Sequence, residues 1–440
     1  MKDVANLMML GLIISLLAGG LLRRDLLFSA LFLIGFTQIG EIFPFLAAVR
    51  IEMVAGVLML VAIAVTADAR ARLGANGDPL ARSFYAFVAV VLLSIPLAVS
   101  IPDSIYWLIY YIKRCFVIYI GVVALLSTAG KMRTYIHLYL AAIFWMALIA
   151  VLDYFSGQTL NIAGVERVQG ATGLLSNPNG MANTMVGALP LAYYMALYHW
   201  RRSSWSWVLM GGGLAMLGAI FFSGSRGGFI GLVAALGAIA LLARRRSVAL
   251  VVVSVVLLVS LTMVGPELIG RYATILEGVD SGMSAGSRWV GLQHGFAMMI
   301  RRPLLGVGIG CYPVARSAWF GWSLWAHNTY GQVMGELGLA GLVAWGFLVG
   351  WTIRGTRQIR RMIGDPGEDA DRRFIHYLSL GIEVSTYARL VLGMTTHSIH
   401  VFFWYLNAGL VVCMSLVAKG WVSEENGEAP PRSRRRVWRS

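Results

Sequence analysis

The sequence predicts an all-α polytopic membrane protein, a single membrane domain of about twelve transmembrane helices. One long external loop carries an amphipathic helix. Three observations predict this. Hydrophobic residues make up 58% of the 440 and charged ones 13%, where soluble proteins carry about 25% charged. Mean hydropathy is +0.72, and apolar runs of the roughly 20 residues that cross a bilayer recur along the chain. The basic residues gather between those runs, which is the positive-inside pattern. A β-barrel would show short alternating segments instead. A net charge of +15 would point a soluble protein toward nucleic acid. Its placement in loops between membrane runs removes that reading, so membrane lipids are the expected partners and nucleic acid is not.

The elements follow from the charge pattern, most cleanly from the C-terminus backwards. The basic tail, residues 421–440 with "PPRSRRRVWRS", is cytoplasmic. The run Ile399–Ala418 reaches an outer turn at "GMTTHS", and Phe374–Leu392 returns to the cytoplasmic loop 354–373. Asn328–Ile353 then rises to His327, which makes 265–326 external. The runs Val248–Val264 and Phe229–Leu242 flank the internal "ARRRS"; Trp205–Phe222 and Met181–His199 flank the internal "WRRSS". "GSRGG" at 224–228 and the stretch 164–180 fall outside. Further back, "GKMR" and "DARAR" fit internal loops and "VSIPDS" an external one. Near the N-terminus, "RRD" at 23–25 divides two runs, the first of them Val4–Leu22. Counting both as spans gives 13 runs; one re-entrant or in-plane segment gives 12 with both termini inside. The first run lacks a cleavage site and is expected to be retained.

Segment 265–326 is the long outer loop, a length that usually signals function. Within it, "SRWVGLQHGFAMMIRRP" spaces Trp289, Val290, Leu292, Phe296, Met299 and Ile300 as an amphipathic helix at the membrane surface, ended by Pro303. Cys115, Cys311 and Cys413 are far apart and read as buried apolar residues. No internal repeat supports a transporter of inverted symmetry.

Topology gathers "SNPNGMAN", "GSRGG", "GSRW" and "AHN" on one face, and with them Asn177, Asn179, Arg226, Arg288 and His327. A guanidinium is permanently charged and its planar fork fits phosphate. Arg226 between small residues therefore reads either as a phosphate ligand or as a snorkelling side chain at a helix end. Arg288 reads as a ligand or as a solvated loop charge, and Arg301 and Arg302 as headgroup contacts. His327 has no second histidine at metal spacing, so zinc is a poor fit. The alternatives are a structural interfacial ring or a general base, since an ordinary pKa of about 6.5 suits proton transfer near neutrality. Lys113 and Arg114 lie inside an apolar run, where ionisable groups usually face a cavity or snorkel outward. Glu383, Arg389, His397 and His400 read as structural. "GVGIG" at 306–310 lacks the βαβ setting of a dinucleotide site. "DAD" at 369–371 sits among arginines and reads as linker. No external segment pairs carboxylates, so neither metal nor cofactor is expected.

"GLLSNPNGMA", "FSGSRGGFIGL", "SRWVGLQHGFAMMIRRPLLGVGIGCY" and "HNTYGQVMGELGLAGL" occur in that order. With a long external loop on a membrane scaffold, the set resembles the O-antigen ligase and O-antigen polymerase superfamily over roughly residues 165–350. The resemblance implies a metal-independent glycosyltransferase of the bacterial inner membrane with its active site toward the periplasm. Its donor would be an undecaprenyl diphosphate-linked glycan. The acceptor would be lipid A–core in a ligase, or another lipid-linked repeat in a polymerase. The family's essential arginines look to match Arg226 and, more softly, Arg288, and its essential histidine looks to match His327. Lys113, Arg114, Asn177, Asn179, Asn328, Arg301 and Arg302 join them as candidate substrate-binding residues. A transporter of anionic solutes is the reading from another class, but it should show charges along a midplane path.

Overall fold

The computed structural model describes residues 2–20, 24–37, 39–66, 72–73, 77–162, 165–170, 177–243, 269–270 and 283–427. The expected run Val248–Val264, the internal "ARRRS" beyond Ala243, most of "DARAR", the stretch 171–176 and the basic tail beyond 427 lie outside these residues.

Sixteen helices are described, in this order. They are α1 Lys2–Gly20, α2 Arg24–Thr37, α3 Ile39–Ile42, α4 Pro44–Ala48, α5 Ile51–Val65, α6 Pro79–Ser94 and α7 Ile101–Leu125. Then come α8 Ala129–Phe155, α9 Pro178–His199, α10 Trp205–Phe222, α11 Arg226–Leu242 and α12 Met283–Arg301. The chain continues with α13 Tyr312–Phe320, α14 Thr329–Ile363, α15 Ala370–Leu392 and α16 Phe403–Glu425. Among the described residues α7, α8, α10, α14 and α16 are long and apolar enough to cross a membrane, and several shorter helices are as apolar. These helices mark a multi-pass membrane protein.

The all-α expectation meets one exception, the hairpin of β1 Leu160–Ile162 and β2 Val165–Arg167, antiparallel with Asn161 opposite Glu166. Three-residue strands carry no periodicity signal, so the sequence could not announce them. α14 also runs ten residues past the apolar end at Ile353. Arg354, Arg357, Arg360 and Arg361 are good helix formers, so polarity ends the apolar run but not the helix.

The chain divides into two compact units. The first comprises residues 1–65, 125–276 and 360–389. Here Phe28 and Phe32 of α2 pack on Tyr135 of α8, and Gly212 of α10 lies against the ring of Phe144. Glu383 pairs with Arg360 and accepts from Tyr387 Oη at 2.6 Å. The partner of Glu383 is thus on α14, and Arg389 fills the space left by Gly187. In such a setting a carboxylate without these donors would be very costly.

The second unit comprises residues 66–124, 277–359 and 390–440. α16 is buried along most of its length. Phe84 of α6 stacks on Tyr119 of α7 with centroids 3.5 Å apart. The three cysteines are free and buried, as expected for small apolar groups.

α14 is broken at Gly338, whose φ of 64° and ψ of −155° are not helical. An L side chain rarely adopts that φ, and a Cβ there would stand 2.7 Å from the Pro303 carbonyl. A break inside a membrane helix strands backbone polar groups, which must find partners within the protein. Residues 303–308 supply them. Pro303 and Leu304 accept from the amides of Leu339 and Ala340 at 2.8 and 3.1 Å. Val307 and Gly308 donate to Gly335 and Glu336, each at 2.9 Å. The Glu336 carboxylate, fully buried, accepts from the Gly310 amide at 2.9 Å and from Gln332 at 3.3 Å. "GVGIG" is thus the plug of a broken helix.

Candidate active site

The candidate residues fall in both units. In the first, Arg226 opens α11 and is half-buried. Ser225 caps the helix, its Oγ accepting from the Gly228 amide at 3.1 Å, and Ser223 Oγ accepts from the Ser225 amide at 3.1 Å. A Cβ at Gly228 would fall 2.6 Å from Ala182 Cβ, so the first turns of α9 and α11 lie side by side. Two helix N-termini with an arginine at one of them form an end suited to an anion. Asn177 caps α9, its Oδ1 accepting from the Gly180 amide at 2.7 Å. Asn179 Oδ1 accepts from Arg167 Nη2 at 3.1 Å. Arg167 is buried, and its Nε donates to the Ser223 carbonyl at 2.6 Å. The side-chain oxygens of both asparagines therefore serve the scaffold. Arg167 escaped the sequence reading because nothing local distinguishes it from a loop charge.

In the second unit, His327 closes the segment that returns from α13 to α14. It is solvent-accessible and its backbone is left-handed, φ 47°. That conformation costs a non-glycine residue on the order of 1 kcal/mol and persists only where neighbours impose it. On one side, Asn328 Oδ1 accepts from the Gly331 amide at 3.0 Å, as an N-cap does, and its Nδ2 donates to Met394 at 3.3 Å. The Thr329 amide donates to Gly393 at 2.7 Å and its hydroxyl to Thr396 at 2.7 Å. On the other side, α12 presses Gly291 against Ala326 and Gly295 against Gly331. Glycines four apart let two backbones meet closely. This spacing also brings Arg288, one turn before Gly291 and half-buried, to the His327 side of α12.

The expected amphipathic helix is α12, with a refinement. Its buried face is Gly291, Gly295 and Met298, while Trp289, Phe296 and Ile300 stay exposed on a stripe of their own.

Burial by its surroundings, then the charges of Arg288 and Arg316, lower the His327 pKa below the ordinary 6.5. The ring is therefore neutral at neutral pH, which a general base requires. Two further histidines stand behind it. His397 meets His327 edge-on at 5.3 Å and lies flat on Trp325 at 5.0 Å, 8° from parallel. Burial, then His327 and His400, push its pKa down to about 3. His400 is buried, with Nε2 3.3 Å from Glu336 Oε2.

The remaining candidates sit on other elements. Lys113 and Arg114 occupy a π-helical turn, Ile112–Phe116, inside α7, and Arg114 stacks on Tyr110 at 4.6 Å. Such turns recur at functional positions. Arg301 lies over Trp319 at 5.0 Å, and Arg302 donates to the Leu97 carbonyl at 2.5 Å.

Residues 211–346 match the O-antigen ligase family model. The matched stretch takes in Arg226, Arg288, His327 and the plug of α14. It leaves outside Lys113, Arg114, Asn177 and Asn179. No curated protein matches the chain. The O-antigen ligase domain is shared by O-antigen ligases and polymerases, and its presence in residues 211–346 suggests an enzyme of that type. One residue inside it went unnoticed in the sequence. Arg316 is the only Lys or Arg between Arg302 and Arg354, set among aromatic residues. An isolated charge in an apolar stretch was the available signal.

Proposed function

We propose that this protein is an O-antigen ligase-type glycosyltransferase. It moves a glycan from undecaprenyl diphosphate to an acceptor sugar hydroxyl, that of lipid A–core, at the periplasmic face of the inner membrane. His327 takes the proton of the acceptor hydroxyl as that oxygen attacks C1 of the donor sugar. The bond from C1 to the diphosphate oxygen breaks, and the charge that develops there is stabilised by Arg226 and Arg288 in place of a metal. A single displacement inverts the anomeric carbon. Asn328 supports the site by capping the helix behind His327, and Arg301, Arg302, Lys113 and Arg114 contact lipid-linked substrate or headgroups.

The observation that carries this reading is His327 itself. It is accessible, strained into a left-handed turn, and kept neutral by its packing and by Arg288 and Arg316. A merely structural ring needs none of these. The second reading is a polymerase of the same domain family, which the matched stretch equally allows.

The test is transfer by purified protein in excess EDTA, with undecaprenyl diphosphate-linked glycan as donor. Product on lipid A–core supports the ligase, and product only on a second lipid-linked repeat supports the polymerase. Activity that vanishes with EDTA and returns with Mg²⁺ or Mn²⁺ refutes the metal-independent chemistry.

A further inference from the structure

We propose that Arg316 is the positioning residue of the His327 site. It ties the segment that carries the histidine to α12 and turns a positive charge on it. This rests on the reading of His327 as the base.

The geometry is that of a clamp. Arg316 is completely buried on α13. Its Nε donates to His294 Nδ1 on α12 at 3.1 Å. Its Nη1 donates to the carbonyls of Leu324 and Trp325 at 3.3 and 3.0 Å. Trp325 is two residues before His327, so one rigid fork spans α12, α13 and the returning segment. A planar guanidinium holds such a set with little loss of side-chain freedom, which an ammonium does not. The tie also fixes His294. With Nδ1 accepting, its proton is on Nε2, and the ring lies flat on Phe320 at 3.9 Å. Burial, then Arg316, lower the His294 pKa, so the acceptor stays neutral.

Among the described residues no carboxylate pairs with Arg316, and its Nη2 has no hydrogen-bond partner. Glu336, a buried carboxylate of this unit, is occupied by Gly310, Gln332 and His400. Among the described residues the charge is therefore not cancelled locally. Among the described residues, the groups facing His327 are Arg288 from α12, Arg316 from α13, and His397 from the turn before α16. Two permanent cations and a neutral ring all disfavour an imidazolium.

The experiment is histidine-selective ¹³C NMR on the full chain in lipid nanodiscs, with the His327 signal assigned by His327→Gln. Transfer from undecaprenyl diphosphate-linked glycan to lipid A–core is measured in parallel. In the wild type His327 titrates below 6.5. In Arg316→Met the midpoint rises toward the ordinary imidazole value, and kcat falls on the order of 100-fold with donor KM little changed. In Arg316→Lys the charge remains, so the midpoint stays low, but the fork is gone and kcat still falls about tenfold or more. His294→Phe, which leaves the arginine itself in place, lowers kcat in the same direction by less. An unmoved midpoint in Arg316→Met, with kcat per folded molecule unchanged, overturns the proposal and leaves Arg316 as packing. If His327→Gln transfers at the wild-type rate, the base assignment is what fails, whatever the midpoints show.

Discussion

Gly291 lies against the backbone of Ala326 so closely that a Cβ on it would stand 2.0 Å from the Ala326 carbonyl oxygen. The next residue is His327. Gly291→Ala must therefore push α12 away from the segment that bears the histidine, since backbone cannot move aside as a side-chain tip can. A loss of about 1–3 kcal/mol in stability and at least tenfold in turnover is expected. Gly346→Ala, where nothing lies within 4 Å, is the control and should be neutral in thermal melts and in transfer.

His327 gives the pH dependence. Its pKa in the folded protein is below the ordinary 6.5, so it loses its proton at a lower pH than a free imidazole. A base works when neutral. Turnover should therefore climb as pH rises through that lowered value and be flat by neutrality. His327→Gln should lose about 10²–10⁴ in kcat and the acidic limb with it. An unchanged profile in the variant would send the search for the base elsewhere.

Arg226 heads α11 beside the first turn of α9. Arg226→Lys retains charge but not the two-pronged donor, so donor KM should rise clearly, and further in Arg226→Ala. At equal membrane levels, wild-type donor affinity in both variants would make it a snorkelling side chain.

Sidedness can be read with thiols, because the three native cysteines are buried. Gln293 on α12 and Glu368 before α15 are both exposed. In spheroplasts a membrane-impermeant maleimide should label Gln293→Cys and spare Glu368→Cys. The reverse pattern would place His327 on the cytoplasmic side and end the periplasmic reading.

The apolar runs and basic loops alone determined the helical membrane class and most helix positions, because the cost of leaving polar backbone or charge in lipid is set residue by residue. Trp205–Phe222 was placed to the residue by its hydropathy. The ordered motifs around Arg226, Arg288 and His327 were likewise legible, since each is a rare polar group in an apolar chain. Tertiary structure alone decided what those groups touch. That "GVGIG" plugs a break at Gly338, that Glu383 pairs with Arg360, and that Asn177 and Asn328 cap helices are facts about partners far along the chain. Arg316 shows the reason most plainly. Its local sequence is only an arginine among aromatics. Its effect on His327 comes from α12 and α13 packing so that one guanidinium reaches His294, Leu324 and Trp325 together. Hydropathy depends on a residue's own chemistry, whereas a hydrogen bond and a Coulomb interaction depend on the distance to another group, which only the folded chain sets.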